Sequence, residues 1–307
     1  MEKRKIGSLE VSVVGLGCNN FGWRIDAAGT AKVVDAAIEA GVNFFDTADV
    51  YGDGKSEEFL RGALGNRRKQ IILATKFGLP MGEQRRGAKP EYVRQAVEDS
   101  LRRLGTDVID LYQLHTPDAS TPIGDTLEAL DGLVKAGKVR EIGCSNFSAQ
   151  QLREAAEAVK PGAARFVSVQ NEYSLMHRDP EQGVLAECVG QGIGFIPYFP
   201  LANGLLSGKY RLGRSLPEGS RAKDGFGPKI FTQDNFAKAE ALGKFAESRG
   251  HTLLELAVSW LAAQPAAASV IAGAKTPEQV RANAVAANWK LNRQELAQVD
   301  EVLTIAV

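Results

Sequence analysis

Residues 42–46 have the sequence Val-Asn-Phe-Phe-Asp, a short and mostly apolar run that ends on an acidic residue. Short runs of β-branched, aromatic and aliphatic residues predict strands that are buried in a parallel sheet. Runs of this kind recur along the chain, and each is predicted to form a strand. The eight predicted strands span residues 13–16, 42–46, 71–75, 108–115, 141–145, 166–171, 194–199 and 269–272.

Stretches with a helical period lie between the predicted strands. In six of the seven intervals, consecutive strand ends are 26 to 40 residues apart, close to the length of one strand plus one helix. The seventh interval, from residue 199 to residue 272, is 73 residues long. It includes a loop rich in glycine and basic residues at 208–229 and an extra helical pattern near 235–248. The other predicted helices span residues 30–40, 56–64, 91–104, 123–136, 149–159, 181–191, 253–263 and 277–286.

This alternation predicts an α/β fold, a (β/α)8 or TIM barrel, as a single domain over residues 1–307. The long interval predicts a late insertion between strands seven and eight, and a C-terminal helix is expected after the last unit. A doubly wound dinucleotide-binding sheet is the alternative, and it would require Gly-x-Gly-x-x-Gly after the first strand. Residues 15–20, Gly-Leu-Gly-Cys-Asn-Asn, have asparagine in place of the third glycine, and the next predicted helix begins only at Thr30. The barrel is therefore favoured.

The composition indicates which partners and locations to expect. With 37 Lys and Arg against 37 Asp and Glu, the net charge is zero, which argues against a nucleic-acid partner and favours a small molecule. The cysteines, Cys18, Cys144 and Cys188, are too widely spaced for a disulfide framework or a metal site. Ser8 and Glu10 interrupt any signal peptide, and no apolar run is long enough to span a membrane. A cytoplasmic protein is predicted, and the sequence does not indicate an oligomeric state.

Polar side chains stand where three consecutive predicted strands end. Asp46 ends the second, Lys76 follows the third and His115 ends the fourth, while Tyr51 lies five residues after Asp46. Active sites of (β/α)8 barrels lie at the C-terminal ends of the strands. Any one of these residues could instead be a capping residue, a solvated cation, a half-buried histidine or a packed aromatic. Their joint placement favours a functional site.

The four side chains together could form a proton-donating site. A tyrosine hydroxyl has a pKa of about 10, and a nearby Lys76 ammonium is expected to lower the pKa of Tyr51. Asp46 would hold Lys76 in place, and His115 would donate a hydrogen bond to a carbonyl oxygen beside Tyr51. The set contains no activated nucleophile, no acidic pair for glycoside hydrolysis and no metal ligands. A hydride would therefore have to come from a cofactor.

Motifs at nine places extend over nearly the whole chain, at residues 15–17, 43–52, 74–78, 110–115, 142–147, 170–175, 198–201, 204–210 and 272–275. In these motifs, in their order and spacing, the chain resembles the aldo-keto reductases. The resemblance implies that Asp46, Tyr51, Lys76 and His115 form the family's catalytic tetrad, with Tyr51 as the proton donor. It also implies NADP(H)-dependent reduction of an aldehyde or ketone by hydride transfer from nicotinamide C4.

The same resemblance implies a seat for the nicotinamide and the pyrophosphate. Tyr198 is expected to stack on the nicotinamide ring, and three polar residues are expected to hold its carboxamide. Four residues of the following loop are expected beside the pyrophosphate, where backbone N–H groups can approach. The carboxamide residues are Ser145, Asn146 and Gln170, and the loop residues are Pro200, Leu201, Gly204 and Leu205.

Residues 276–279, Thr-Pro-Glu-Gln, predict an N-cap, a proline at N1 and a glutamine at N3 in capping-box register. A helix therefore begins directly after Gly273-Ala274-Lys275, and such a helix start favours anions. Three basic residues are candidates for an adenosine 2′-phosphate, and two polar residues resemble adenine-side contacts, so NADP is favoured over NAD. Some branches of the family have arginine at the position of Gln279, which weakens that choice. The basic residues are Lys209, Arg221 and Lys275, and the polar residues are Gln279 and Asn283.

The substrate and the physiological direction stay open at this stage. Residues that flank the tetrad are expected to line an apolar pocket, which favours an apolar aldehyde or ketone. One alternative is an alcohol or sugar dehydrogenase working in the reverse direction, and another is a cofactor-binding regulatory subunit of an ion channel with little turnover. The expected pocket residues are Asn20, Phe21, Trp23, Phe77, Tyr173 and Phe199.

Overall fold

The computed structural model describes residues 1–82, 85–210 and 227–305. An antiparallel hairpin of β1 (Lys3–Ile6) and β2 (Leu9–Ser12) comes first. Eight parallel strands follow and pair in the order in which they occur along the chain. These are β3 (Val14–Gly17), β4 (Phe44–Asp46), β5 (Ile72–Phe77), β6 (Ile109–Leu114), β7 (Val139–Ser145), β8 (Phe166–Glu172), β9 (Gly194–Tyr198) and β10 (Val270–Gly273).

The sheet closes on itself. β10 pairs with β3 along its whole length, and β9 reaches the segment just before β10 through two backbone hydrogen bonds. The N–H of Phe195 donates to the oxygen of Ala266, and the N–H of Ala268 donates to the oxygen of Phe195, each at 2.8 Å. Every strand of the parallel sheet therefore has neighbours on both sides, and the prediction of a (β/α)8 barrel is confirmed.

Helices follow the strands and cover the outside of the barrel. Within the described part of the chain, none of them is both long enough and apolar enough to cross a membrane. The first six are α1 (Ala27–Glu39), α2 (Lys55–Leu64), α3 (Pro90–Leu104), α4 (Ile123–Lys135), α5 (Ala149–Ala158) and α6 (Val184–Gln191). The rest are α7 (Gly227–Ile230), α8 (Gln233–Glu247), α9 (Leu253–Ala262), α10 (Pro277–Val285) and α11 (Arg293–Ile305).

The predicted late insertion and C-terminal helix are both present. α7 and α8 lie between β9 and β10, in addition to the α9 that the last unit requires, and α11 follows α10. Most of the predicted loop at 208–229 lies outside the described residues.

Three local features differ from the prediction. The hairpin of β1 and β2 was not predicted. α1 begins at Ala27, earlier than Thr30, because the Asp26 side chain caps it by accepting from the N–H of Gly29 at 2.8 Å. The predicted helix at 181–191 is divided, since Gly183 has φ 132°, a backbone conformation that ends a short 3₁₀ turn before α6 begins.

The inside of the barrel has an apolar lower layer. Ile6 and Leu9 of the hairpin pack there against Phe44, Ala74 and Leu111 of three neighbouring strands, and all five are buried. Because side chains alternate along a strand, the residues two positions further on face the same interior one level higher. These are the polar side chains Asp46, Lys76 and Gln113. The hairpin thus closes one end of the barrel, and the polar layer lies toward the other.

Replacing Leu9 by alanine tests whether the hairpin is part of the barrel core. Leu9 is fully buried, so Leu9→Ala leaves a cavity and is expected to lower the free energy of unfolding by about 2–5 kcal/mol in urea titrations. Val189→Ala, at an exposed position of α6, is the control and should change it by less than about 0.5 kcal/mol. Equal effects of the two substitutions would contradict this packing.

Candidate active site

A buried ion pair forms the floor of the site. Lys76 is 0% exposed, and its Nζ lies 2.5 Å from Asp46 Oδ2. The same ammonium donates to the backbone oxygen of Thr47 at 2.8 Å and lies 3.4 Å from the hydroxyl of Tyr51. Burial alone would lower the pKa of Lys76, but Asp46 and Tyr51 together raise it above its ordinary value. Lys76 is therefore a cation beside Tyr51.

The pKa of Tyr51 corrects one expectation from the sequence. Burial raises the pKa of Tyr51, and the positive charge of Lys76, which lowers it, does not overcome that effect. The net direction is upward because removing a phenolate from water outweighs one favourable charge that is already shared with Asp46. Without a ligand, Tyr51 is thus a neutral hydroxyl that holds its proton.

His115 lies beside Tyr51, with their rings edge to face and 5.8 Å between centroids. Burial, followed by the charge of Lys76, lowers the pKa of His115 to about 3. The imidazole is therefore neutral near pH 7 and can donate one hydrogen bond without carrying a charge. Its backbone oxygen accepts from the side-chain amide of Asn146 at 2.9 Å, which ties β6 to the end of β7.

A cavity of about 640 Å³ opens at the C-terminal ends of the strands. Its lining includes Asp46, Tyr51 and His115, so three of the four predicted tetrad residues face it, while Lys76 lies beneath them. It also includes the loop after β9 and the start of α10. The predicted cofactor residues in its lining are Ser145, Asn146, Gln170, Tyr198, Pro200, Leu201, Gly204, Lys209, Gly273, Lys275, Gln279 and Asn283.

Hydrogen bonds order the part of the cavity next to the tetrad. Ser145 Oγ donates to the backbone oxygen of Gln170 at 2.7 Å, and the Tyr198 hydroxyl donates to Asn146 Oδ1 at 2.9 Å. Asn146 has φ 62°, a left-handed conformation that is uncommon outside glycine and that asparagine tolerates. These contacts hold amide and hydroxyl groups around one aromatic ring, an arrangement that suits a flat, polar heterocycle.

The loop after β9 has an unusual backbone. Phe199, Ala202 and Asn203 all have positive φ, at 52°, 44° and 55°, and Gly204 follows at 97°. Conformations of this kind in non-glycine residues cost about 1–3 kcal/mol each and cluster at ligand sites. With Gly204 the segment bends tightly around the cavity, where backbone groups can approach a ligand.

The start of α10 differs in one hydrogen bond from the predicted capping box. Thr276 accepts from the N–H of Gln279 as expected, but Gln279 Oε1 accepts from the N–H of Lys275, at 2.8 Å, and not from Thr276. The side chain thus fixes the turn that carries Gly273 and Lys275 into the cavity wall. An added Cβ at Gly273 would lie 3.1 Å from Asn19 Oδ1, so a larger residue would press on the neighbouring loop.

Comparison with known proteins agrees with this geometry. A sequence model of the Aldo/keto reductase family matches residues 13–304. The chain belongs to the aldo/keto reductase family. It is therefore an oxidoreductase.

Three relatives show how far the likeness extends. Aldo-keto reductase YhdN of Bacillus subtilis (strain 168) is 35% identical over 306 residues, which cover 96% of this chain and 91% of that protein. The structure of the glycerol dehydrogenase AKR11B4 from Gluconobacter oxydans has a TM-score of 0.86 at 32% identity and covers 99% of this chain and 96% of its own. The holo form of aldo-keto reductase AKR11C1 from Bacillus halodurans has a TM-score of 0.82 at 33% identity, with 98% and 96% covered.

Several residues predicted to line the pocket of this aldo/keto reductase lie elsewhere. Phe21, Phe77 and Tyr173 are fully buried in the core and do not line the cavity. Phe77 stacks on Tyr112 with 4.7 Å between centroids, because it follows the inward-facing Lys76 and so points outward. The Tyr173 hydroxyl donates to Glu181 Oε1 at 2.7 Å. These three are corrected from pocket residues to core residues.

Some of the other predicted pocket and cofactor residues line the cavity, and others do not. Asn20 and Phe199 line the cavity, whereas Trp23 is 62% exposed and lies outside its lining. Leu205 and Ala274 are buried behind the lining and do not reach the cavity surface. Arg221 lies outside the described residues.

Sequence reasoning missed Gln113 and Glu278. Gln113 Nε2 donates to Asp46 Oδ1 at 3.0 Å from a fully buried position in β6. The available signal was a glutamine inside a predicted buried strand, two residues before His115 and therefore on the same face. Glu278 lines the cavity at the start of α10, next to the predicted phosphate contacts.

A second buried carboxyl group lies close behind the tetrad. Asp49 is 2% exposed, and burial, followed by the nearby charge of Glu57, raises its pKa to about 7. Arg103 and Lys76 act in the opposite direction but more weakly. Glu57 is itself paired with Arg103, whose Nε lies 2.6 Å from Glu57 Oε2, so little of that positive charge remains for Asp49.

The raised pKa of Asp49 predicts a pH-dependent loss of stability. Its ordinary pKa of 3.8 applies to the unfolded chain, so the folded protein holds this proton more tightly. The free energy of unfolding should therefore fall as pH rises from about 4 to about 7 and stay lowered above that. Asp49→Asn removes the ionisation, so its Tm relative to the parent should be higher at pH 8 than at pH 5.

Thermal unfolding of both proteins across this pH range measures the effect. Asp107→Asn, at an exposed position after α3, provides the control and should track the parent at both pH values. An Asp49→Asn variant whose Tm difference from the parent did not change with pH would show that Asp49 titrates normally.

Proposed function

We propose that this aldo/keto reductase reduces an aldehyde or ketone to an alcohol with NADPH. The observation that carries the proposal is the placement of the Tyr51 hydroxyl, 3.4 Å from a buried Lys76 ammonium, in the lining of a cavity that His115 also faces. When bound, the nicotinamide supplies a hydride from its C4 to the carbonyl carbon. The protein must then position the carbonyl and deliver one proton to its oxygen.

The tetrad residues perform the second task. His115, being neutral, donates a hydrogen bond to the carbonyl oxygen and orients it beside Tyr51. Tyr51 transfers its proton to that oxygen as negative charge develops there, which leaves a phenolate that Lys76 stabilises. Asp46 keeps Lys76 in place, and solvent at the open mouth restores the proton afterwards. Tyr51 is neutral without a ligand, which is the protonation state that carbonyl reduction requires.

The residues around the cavity fit a nicotinamide dinucleotide. Tyr198 offers a ring wall next to the tetrad, and Ser145, Asn146 and Gln170 surround it with amide and hydroxyl groups. The same cavity continues to the start of α10, where a helix N-terminus favours an anion. We propose that the nicotinamide binds at Tyr198 and the adenosine phosphate near α10.

The choice of NADP over NAD rests on the charged side chains in the part of the cavity proposed for the adenosine phosphate. Lys209 and Lys275 both line the cavity, and each can meet a 2′-phosphate. Glu278, in the same lining, opposes it. We propose that the two lysines outweigh the single carboxylate.

Alcohol oxidation is a second candidate function. The likeness to a glycerol dehydrogenase, with a TM-score of 0.86, favours testing polyols and other alcohols in the reverse direction. The same residues serve both directions, with Tyr51 accepting a proton in oxidation. Since burial raises the pKa of Tyr51, oxidation should be faster at alkaline pH than at pH 7.

Replacing Tyr51 by phenylalanine tests its role as proton donor. Tyr51→Phe keeps the ring and removes the proton, so kcat/KM for NADPH-dependent reduction across a panel of aldehydes and ketones should fall by about 10²–10⁴-fold. Affinity for NADPH, measured by fluorescence titration, should stay within about twofold. Tyr92→Phe, in α3 and away from the cavity lining, is the matched control and should retain parental turnover. Parental turnover in Tyr51→Phe would refute the assignment.

Paired substitutions at the start of α10 test the cofactor choice. Lys275→Met should weaken NADPH binding by about tenfold, close to 1.4 kcal/mol, and change NADH binding little. Glu278→Gln should tighten NADPH binding, because it removes a negative charge from the same region. Fluorescence titration of both cofactors measures these differences, and tighter binding of NADH than of NADPH by the parent would reverse the NADP assignment.

A further inference from the structure

The carboxylate of Asp46 makes different contacts with its two oxygens. Oδ2 receives the Lys76 ammonium at 2.5 Å, whereas Oδ1 receives two amide N–H groups, from Gln113 Nε2 at 3.0 Å and Gln170 Nε2 at 2.9 Å. Gln170 Nε2 also lies 3.4 Å from Gln113 Oε1, so the two amides are linked to each other. All four side chains are buried. Both oxygens of Asp46 are thus directed by fixed donors.

We propose that Gln113 is a positioning residue of the reductase reaction: its amide orients Asp46 so that Asp46 holds Lys76 within reach of the Tyr51 hydroxyl. This inference rests on the proposed function, since it assigns Gln113 a part in presenting the proton of Tyr51. Gln113 does not line the cavity, so it acts through Asp46 and touches neither substrate nor cofactor.

The strand register explains how Gln113 reaches Asp46. In the pairing of β5 with β6, Gln113 lies opposite Lys76, and Lys76 stands two residues after the Ala74 that pairs with Asp46. Adjacent strands are about 4.8 Å apart, so Gln113 must extend inward from β6 across β5 to meet a side chain on β4. Glutamine has the length and the terminal N–H donor that this distance requires.

The neighbouring strand leaves room for this side chain. Gly143 of β7 pairs with Gln113, and a Cβ added at Gly143 would lie 3.3 Å from Gln113 Cγ and 2.3 Å from Ser168 Oγ. Any other residue there would displace one of the two. The absence of a side chain at Gly143 therefore leaves space beside Gln113 Cγ, and the Gln113 amide reaches Asp46 Oδ1.

An amide suits this task better than an ionisable group. Two N–H donors on Oδ1 fix the orientation of the Asp46 carboxylate, which leaves Oδ2 directed at Lys76. The amide does not ionise and has no charge that would compete with Asp46 for the ammonium. A carboxyl group at this position would ionise, and its negative charge would compete with Asp46 for the Lys76 ammonium. That difference makes the proposal testable.

Two substitutions separate positioning from packing. Gln113→Leu fills similar space without a donor, and it should lower kcat by about tenfold to a hundredfold while leaving the KM for NADPH within about twofold. In Gln113→Glu, the introduced carboxyl group can donate its O–H to Asp46 Oδ1 while protonated and repels Asp46 once ionised. Its kcat relative to the parent should therefore fall with rising pH, by about tenfold from pH 5 to pH 8, a dependence that Gln113→Leu lacks.

Thermal unfolding provides a readout that needs no turnover. The Tm of Gln113→Glu relative to the parent should fall between pH 5 and pH 8, because ionisation beside Asp46 becomes unfavourable in the folded state. Gln113→Leu should show an offset that does not change with pH. Gln70→Leu and Gln70→Glu, at an exposed position between α2 and β5, are the matched controls and should follow the parent in both measurements.

The outcomes distinguish this inference from the proposed function. Parental kcat in Gln113→Leu, or an equal loss in both variants at every pH, would overturn the positioning role, since packing alone gives the latter result. A parent that reduces no carbonyl would overturn the reductase proposal instead. In that case the pH dependence of Tm still decides whether Gln113 controls the Asp46 carboxylate, and a Gln113→Glu offset independent of pH would overturn that as well.

Discussion

A lysine and an aspartate are paired inside the barrel, away from water, and the site above them depends on that contact. Taking two charges out of water costs several kcal/mol per ion, and their attraction offsets this only when their remaining hydrogen-bonding groups are also satisfied. Lys76 meets that condition with Asp46, Thr47 and Tyr51 as partners. Such a pair adds little net stability compared with apolar packing. Its main effect is to fix the Lys76 ammonium at one place. That place is next to the hydroxyl proposed to give up its proton.

Most of the barrel could be predicted from sequence, because each unit pairs with its chain neighbours and repeats a buried strand and a helix. The residues at the strand ends followed from the same repeat, since parallel strands bring their C-terminal ends together. The hairpin of β1 and β2 could not be predicted in this way. It lies before the repeat begins, and its own signal was local: the two-residue turn Gly7-Ser8, followed by the alternating apolar and polar residues Leu9-Glu10-Val11.

Errors at the site came from treating nearness in sequence as nearness in space. Phe77 is adjacent to Lys76 in the chain but faces the helices, because successive side chains of a strand point to opposite faces. The same alternation, applied from His115 back to Gln113, would have identified a buried polar residue on the tetrad side. The direction of the Tyr51 pKa shift could be found only from the structure. Burial raises this pKa and the charge of Lys76 lowers it, so the direction depends on which effect is larger. Sequence indicates the charge but not the burial.

A missing side chain in β7 has a consequence for how this protein can change over time. Every single-nucleotide change of a glycine codon that alters the residue and does not stop translation adds at least a Cβ, so each such change at Gly143 meets Ser168 Oγ and the stem of Gln113. Position 143 is therefore restricted in side-chain size, although it lies outside the cavity lining and carries no functional group. A replacement of this glycine requires Ser168 Oγ to turn aside and the Gln113 side chain to shift. Packing inside the barrel thus limits the size of the side chain at position 143.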